Sequence, residues 1–240
     1  MTPIDDAVTA DLAPTGVLRA VINLGNPVLA AGAPDAPTGV TADLARELAR
    51  RLDLPLSLLC VDAARKSCDA VTAGEADVCF VAIEPARASD LAFTAAYVVL
   101  EGVYVVRDDS PVCAPADVDR AATRVGVKRG SAYDLFLTRS LEAADIVRGE
   151  EGVDVFAADG LEVGAGIRLP ATDWVAAHPG HRVVEPAFTE IQQALATSVS
   201  RAPETVRLLH AFVEDIKASG VVADALRRAG RRDAVVAPPA

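Results

Sequence analysis

Residues 16–83 alternate between strand-like and helix-like runs, and no other feature constrains the fold as tightly. Gly16–Ile22 reads as a strand, with Leu18, Ala20 and Ile22 on one face. Residues 23–39 are loop-like, rich in Gly and Pro. Thr41–Leu52 has helical spacing: Leu44, Leu48 and Leu52 recur every fourth residue, with Thr41 as the expected N-cap. Leu56–Val61 is a second strand. A short helix across Ala63–Ala73 stops at Gly74, and Val78–Ile83 is an apolar run suited to a buried strand. Strand, helix, strand, helix, strand predicts an α/β fold with a parallel sheet covered on both faces.

The pattern then starts again. Tyr97–Val106 is a long strand leaving the first unit, followed by a polar stretch, Asp108–Asp119, that contains Pro111 and Pro115. A second unit opens with strand Arg124–Lys128, a Gly130-Ser131 turn and a helix to about Leu141, and a further strand spans Asp145–Arg148. Val183–Ser200 carries the chain back to two C-terminal helices, the first opening at Pro203 and the second ending near Arg228. Two crossings imply a discontinuous first lobe, residues 1–104 with 188–240, and a second lobe, 105–187.

Composition narrows the function. A formal net charge of −11 over 240 residues repels phosphate backbones and anionic lipid, which argues against nucleic acid and membrane surfaces as partners. Apolar runs such as Val78–Ile83 and Ala95–Leu100 fall well short of the ~20 residues that cross a bilayer, so no membrane insertion is expected. The start, Met1-Thr2-Pro3-Ile4-Asp5-Asp6, has neither the positive charge nor the apolar stretch of a secretory leader. The chain is expected to be cytoplasmic if Met1 is the native start, and periplasmic if a leader has been removed. Cys60, Cys68, Cys79 and Cys113 lack metal-site spacing and read as reduced thiols, with a Cys60–Cys68 disulfide as the alternative in an oxidising compartment.

Four stretches, in order, carry a resemblance. Gly39-Val40-Thr41-Ala42-Asp43-Leu44-Ala45 is similar to a Gly-Phe-Asp-x-Asp-Leu-Ala helix opening, and Gly74-Glu75-Ala76-Asp77 to a Gly-x-x-Asp turn into a strand. Arg87, then Phe93-Thr94 and Tyr97, match Arg, spacer, Phe-Ser/Thr, Tyr. Val125-Gly126-Val127-Lys128-Arg129-Gly130-Ser131 matches Val-Gly-Val-x-x-Gly-Ser/Thr. Together they resemble the family 3 extracellular solute-binding proteins over about residues 16–228. The resemblance implies the periplasmic binding protein type II (Venus-flytrap) fold, with two lobes that close by hinge motion on a ligand between them. It also implies amino-acid binding for ABC importers, while some members are cyclohexadienyl dehydratases, so fold alone does not settle function.

The resemblance makes Arg87 the clamp for a ligand carboxylate, a role its planar fork suits; otherwise it is a surface arginine paired with Glu84. Ser131 opens a helix, where N–H groups favour an anion, and Ser131-Ala132-Tyr133-Asp134 also reads as a capping-box variant. Glu84 is a departure from the Thr common in amino-acid binders. It would receive a ligand amine, act as a general acid or base, or neutralise Arg87. Asn23 and Asn26 occupy the loop where amino-acid binders carry an acid and an aromatic, and they read equally as turn formers. Gln193, beside Gln192 on the returning segment, either lines the cleft or satisfies backbone.

The family's amine-gripping acid follows a strand of the second lobe, and two registers are open. If Val153–Asp159 is that strand, Asp159 is the acid. If Leu161–Ile167 is the strand, with a helix before it, Ile167 and Arg168 stand in the acid's place. The second keeps the usual spacing and is preferred. It would favour keto acids or dicarboxylates over amino acids, with Arg168 receiving an anion.

No nucleophile elbow, phosphate loop, dinucleotide fingerprint or Ser/His/Asp set is present, and no motif calls for a cofactor or metal. His178 and His181 flank a Pro-Gly turn, His210 falls in a C-terminal helix, and Trp174 reads as packing. The expected function is a non-catalytic receptor for a small carboxylate, partnered by an ABC permease if exported. The alternatives are a dehydratase-like lyase using Glu84 and a ligand-free sensory or scaffold domain.

Overall fold

The computed structural model describes residues 5–231 and 234–240. In chain order the elements are α1 (Asp6–Leu12), β1 (Leu18–Asn23), β2 (Ala31–Ala33), β3 (Ala36–Thr38), α2 (Val40–Leu52), β4 (Leu56–Val61), α3 (Ala64–Thr72), β5 (Val78–Ala82) and β6 (Leu91–Arg107). There follow β7 (Arg124–Lys128), α4 (Ala132–Ser140), β8 (Asp145–Gly149), α5 (Gly152–Ala158), β9 (Val163–Ile167) and α6 (Arg168–Ala177). The chain ends with β10 (His181–Ser198), α7 (Pro203–Ala218), α8 (Val221–Arg228) and β11 (Val235–Val236). A single turn of 3₁₀ helix, Pro85–Arg87, follows β5.

Two compact units result. One runs to Val99 and resumes at Gln192; the other is Leu100–Ile191. The sequence reading places these crossings at 104/105 and 187/188. In the first unit the strand order is β4-β1-β5-β10-β6, with β1 parallel to both β4 and β5, β10 antiparallel to β5, and β11 added to β6. Its core joins Val21, Cys79, Val81, Leu91 and Ala196 of the sheet to Ala70 and Val71 of α3. α2 buries Leu44, Leu48 and Leu52 with Ala45 and Ala49, the stripe its period predicts.

The second unit has the order β6-β9-β7-β8, with β7 parallel to β8 and β9, and β9 antiparallel to β6. Phe156 of α5 and Ala171 of α6 pack with Val103, Val105 and Leu161. α5 lies close on the sheet because Gly152 has no side chain. A Cβ there would come within 2.1 Å of the Ala165 carbonyl oxygen.

Several expectations need correction. The N-cap of α2 is Gly39 at φ 96°, not Thr41. A Cβ at Gly39 would also meet the Leu29 carbonyl at 2.9 Å. Thr41 lies inside the first turn and donates its hydroxyl to the Leu29 carbonyl. The stretch 23–39 contains the β2–β3 hairpin. β6 begins at Leu91 rather than Tyr97, and β10 at His181 rather than Val183. α1 and α6 are additional helices. Pro170 is compatible with α6 because it falls in the first turn, where no intrahelical N–H is needed. His181 therefore belongs to a strand; with His178, it packs against Trp174. The four cysteines are unbridged, so the Cys60–Cys68 disulfide is not formed.

Candidate functional site

In open α/β sheets, ligands meet the carboxyl ends of parallel strands. In the first unit those are the ends of β4, β1 and β5. Arg87 follows β5 by one 3₁₀ turn, begun at Glu84 and held by Arg87 N–H donating to the Glu84 carbonyl at 2.9 Å. Both side chains are buried: Arg87 is 7% exposed and Glu84 6%. This is not a surface arginine. Its Nη1 donates to the Ala82 carbonyl at 2.9 Å, which fixes one arm of the fork. Burial raises the pKa values of the Cys68 and Cys79 thiols, and the charge of Arg87 opposes both rises.

Gln193 belongs to the same cluster. It pairs with Ala82 in the β5–β10 ladder, is buried, and follows Gln192, whose carbonyl accepts Ile83 N–H at 2.9 Å. Asn23 ends β1 and is half-buried. Its Oδ1 accepts Gly25 N–H at 3.0 Å, while that of Asn26 accepts Val28 N–H at 3.2 Å. Both asparagines build the turn.

In the second unit the corresponding ends are those of β7, β8 and β9. Ser131 is the N-cap of α4 and accepts Asp134 N–H at 3.1 Å; Asp134 in turn accepts Gly130 N–H at 2.8 Å. The capping-box variant is formed, one residue wider than the usual reciprocal pair. Tyr133 is buried beneath it. Desolvation pushes its phenol pKa up, the charge of Glu151 adds to the rise, and a hydrogen bond with the Ser131 side chain opposes it. Two pairs at this end escaped the sequence reading. Lys128, the last residue of β7, pairs with Glu151, and Arg148 of β8 pairs with Asp134 at 2.9 Å. The only signal available was Lys128 within the Val-Gly-Val-Lys run.

Of the two registers left open, the chain adopts the helix followed by the strand: α5 precedes β9. Asp159 caps the C-terminus of α5 and is exposed. It adds to the field on Arg124, the first residue of β7, and so lies at the amino end of the parallel strands, opposite Ser131. Arg168 opens α6 directly after β9, opposite Glu101 in the β6–β9 pairing, where Gly102 faces Ile167. Its guanidinium is engaged by carboxylates: Nη1 and Nη2 donate to Glu185 at 2.5 and 2.9 Å, and Nε donates to Glu101. The hydrogen bonds to Glu185 raise its pKa against the cost of burial, and they hold the Glu185 carboxyl below its ordinary value. An open anion receptor at Arg168 is therefore not what the side chain presents. Among the described residues no group of three or more His, Cys, Asp or Glu is placed to hold a metal, and no helix is long and apolar enough to cross a membrane.

Solved structures share this arrangement. A mutant of ArgBP from T. maritima is 20% identical, over 92% of this chain and 98% of that one, with a TM-score of 0.73. The solute receptor for L-cysteine of Neisseria gonorrhoeae is 18% identical, covering 92% of each chain, at 0.76. An ancestral amino acid-binding protein described as a precursor of cyclohexadienyl dehydratase is 18% identical, over 92% and 98%, at 0.72. At these identities the likeness establishes the fold, the two-lobed periplasmic binding protein type II architecture. No curated protein sequence matches the chain. Residues 20–230, nearly the whole length, match the sequence family described as bacterial extracellular solute-binding proteins, family 3, and the chain belongs to that family.

Proposed function

We propose that the chain is a non-catalytic receptor for a small carboxylate-bearing metabolite: an amino acid, a keto acid or a dicarboxylate. Arg87 anchors the carboxylate. The observation that carries this reading is Arg87 itself. It is a buried guanidinium at the carboxyl end of a parallel strand, with one arm pinned by the Ala82 carbonyl. A pre-oriented fork loses little side-chain entropy when it takes up a carboxylate, and a partly desolvated ion pair is stronger than an exposed one. Family membership and the amino-acid-binding relatives support the same class of ligand. If the chain is exported, delivery to an ABC permease follows.

A thermal-shift panel of amino acids, keto acids and dicarboxylates tests it. A ligand at ~100 times its dissociation constant adds about 2.7 kcal/mol and raises the midpoint by several degrees. The expected hit disappears in Arg87→Ala. A folded protein with no hit across the panel contradicts the reading.

Glu84 favours one further reading. A nearly buried carboxylate next to Arg87 in the 3₁₀ turn is placed to handle a proton, and one relative is a dehydratase precursor. A lyase of that type would convert prephenate or arogenate and lose the activity in Glu84→Gln. Absence of product from both substrates removes it.

A further inference from the structure

We propose that the hollow between the Asn26 turn and the C-terminal end of α8 is a second binding site, for a small carboxylate with a short aliphatic body. It does not depend on the reading of Arg87, because none of its lining residues belongs to β5, the 3₁₀ turn or β10.

The hollow holds about 380 Å³ and lies wholly within the first unit. That is the lower range of cavities that take small molecules. Its floor is aliphatic: Val28, Leu29 and Ala30 come from the turn, Ala225 and Ala229 from α8. All but Ala229 are buried, so the core beneath holds the floor in place. Arg231 stands in the wall. Its Nε donates to the Val28 carbonyl at 3.1 Å and its Nη2 to the Pro27 carbonyl at 2.6 Å. Two of its five N–H donors are used in this way. Among the described residues its Nη1 meets no acceptor, and its charge meets no carboxylate.

The surrounding charge runs against the balance of the chain. α2 and α8 carry Arg46, Arg50, Arg51, Arg227 and Arg228, and their only acids are Asp43, Glu47 and Asp224. Each acid is engaged. Asp43, at the mouth, meets Arg46 at 3.4 Å and Arg228 at 2.7 Å; Glu47 is taken by Arg50 and Arg51, and Asp224 by Arg227. Asp215 of α7 adds one acid, on Arg51. Asp35, in the β2–β3 turn, does not line the hollow. With Arg231, six arginines meet four acids in a chain of formal net charge −11. A carboxylate reaching Arg231 supplies the missing counter-charge to a guanidinium already held in place, and its short chain covers the aliphatic floor. A polyanion would gain from the surface arginines but not from the floor.

Calorimetric titration of butyrate and isovalerate, with isovaleramide as the neutral counterpart, into Arg87→Ala decides it, since that background removes the anchor of the other site. Saturable binding of a carboxylate is expected, with the amide at least about tenfold weaker. In the same background Arg231→Gln weakens the carboxylate about ten- to hundredfold, the scale of hydrogen bonds to a charged group. Ala229→Leu keeps every charge, fills the hollow and removes binding, and circular dichroism checks that each variant is folded. Equal affinity for acid and amide, binding unchanged in both variants, or no binding by Arg87→Ala overturns the second site. A carboxylate response of the parent that is lost in Arg87→Ala and kept in Arg231→Gln also overturns it, while upholding the receptor. Binding of heparin without binding of either carboxylate overturns it in favour of a polyanion surface.

Discussion

In the first unit, Arg19 at the start of β1 donates its backbone N–H, Nε and Nη2 to Asp77, just before β5, and donates Nη1 to the Gly74 carbonyl. In the second, Arg124 at the start of β7 does the same with Glu162, just before β9, and donates to the Gly160 carbonyl. The device is shared: an arginine opening one parallel strand is locked to an acid and a turn carbonyl ahead of its neighbour. Depth separates the two. Asp77 is 0% exposed and takes a second cation, Arg201, at 3.2 Å, whereas Arg124 and Glu162 are 42% and 41% exposed. Removing a fully desolvated acid strands two guanidiniums, while an exposed pair competes with water at every step. The same geometry is therefore integral to one unit and marginal in the other.

Substitutions can break this contrast. Asp77→Ala leaves Arg19 and Arg201 without their acid and is expected to cost about 3–5 kcal/mol in chemical denaturation. A loss below 1 kcal/mol would show that the buried lock does not matter. Gly152→Ala drives a methyl into the Ala165 carbonyl and forces α5 off the sheet, at about 1–3 kcal/mol. A neutral result would show that the helix moves freely there. Glu162→Gln is expected to cost no more than ~1 kcal/mol near neutrality. Hydrogen bonds from Arg124 hold the Glu162 carboxyl at about 2, below its ordinary 4.5. A depressed folded value means that its contribution is complete above about 4.5 and lost as pH falls toward 2. The parent and the variant should therefore converge in stability across that window, and a gap that widens in acid would reverse the sign of the argument.

How much could be read in advance depended on whether the relevant partners are near in sequence. α2 and β5 were legible because each declares itself locally, one by leucines every fourth residue and the other by an unbroken apolar run. The start of β6 was not, since Leu91-Ala92-Phe93-Thr94-Ala95-Ala96 has too many small residues to show alternation. α6 was hidden because Pro170 reads as a breaker until its place in the first turn is known. At the site, Arg87, Ser131 and the turn-building asparagines stand in local motifs. The engagement of Arg168 was invisible, because Glu101 lies 67 residues before it and Glu185 lies 17 after. Only the folded β6–β9 pairing and the return of β10 bring those charges together.

The central claim is that Arg87 anchors a carboxylate, and calorimetric titration of the strongest panel ligand into the parent, Arg87→Lys and Arg87→Ala tests it most directly. The account predicts saturable binding by the parent, weakening by about 2–5 kcal/mol in Arg87→Ala, and only partial recovery in Arg87→Lys, which keeps the charge but lacks the planar fork. Equal affinity in all three proteins, each folded, would contradict it.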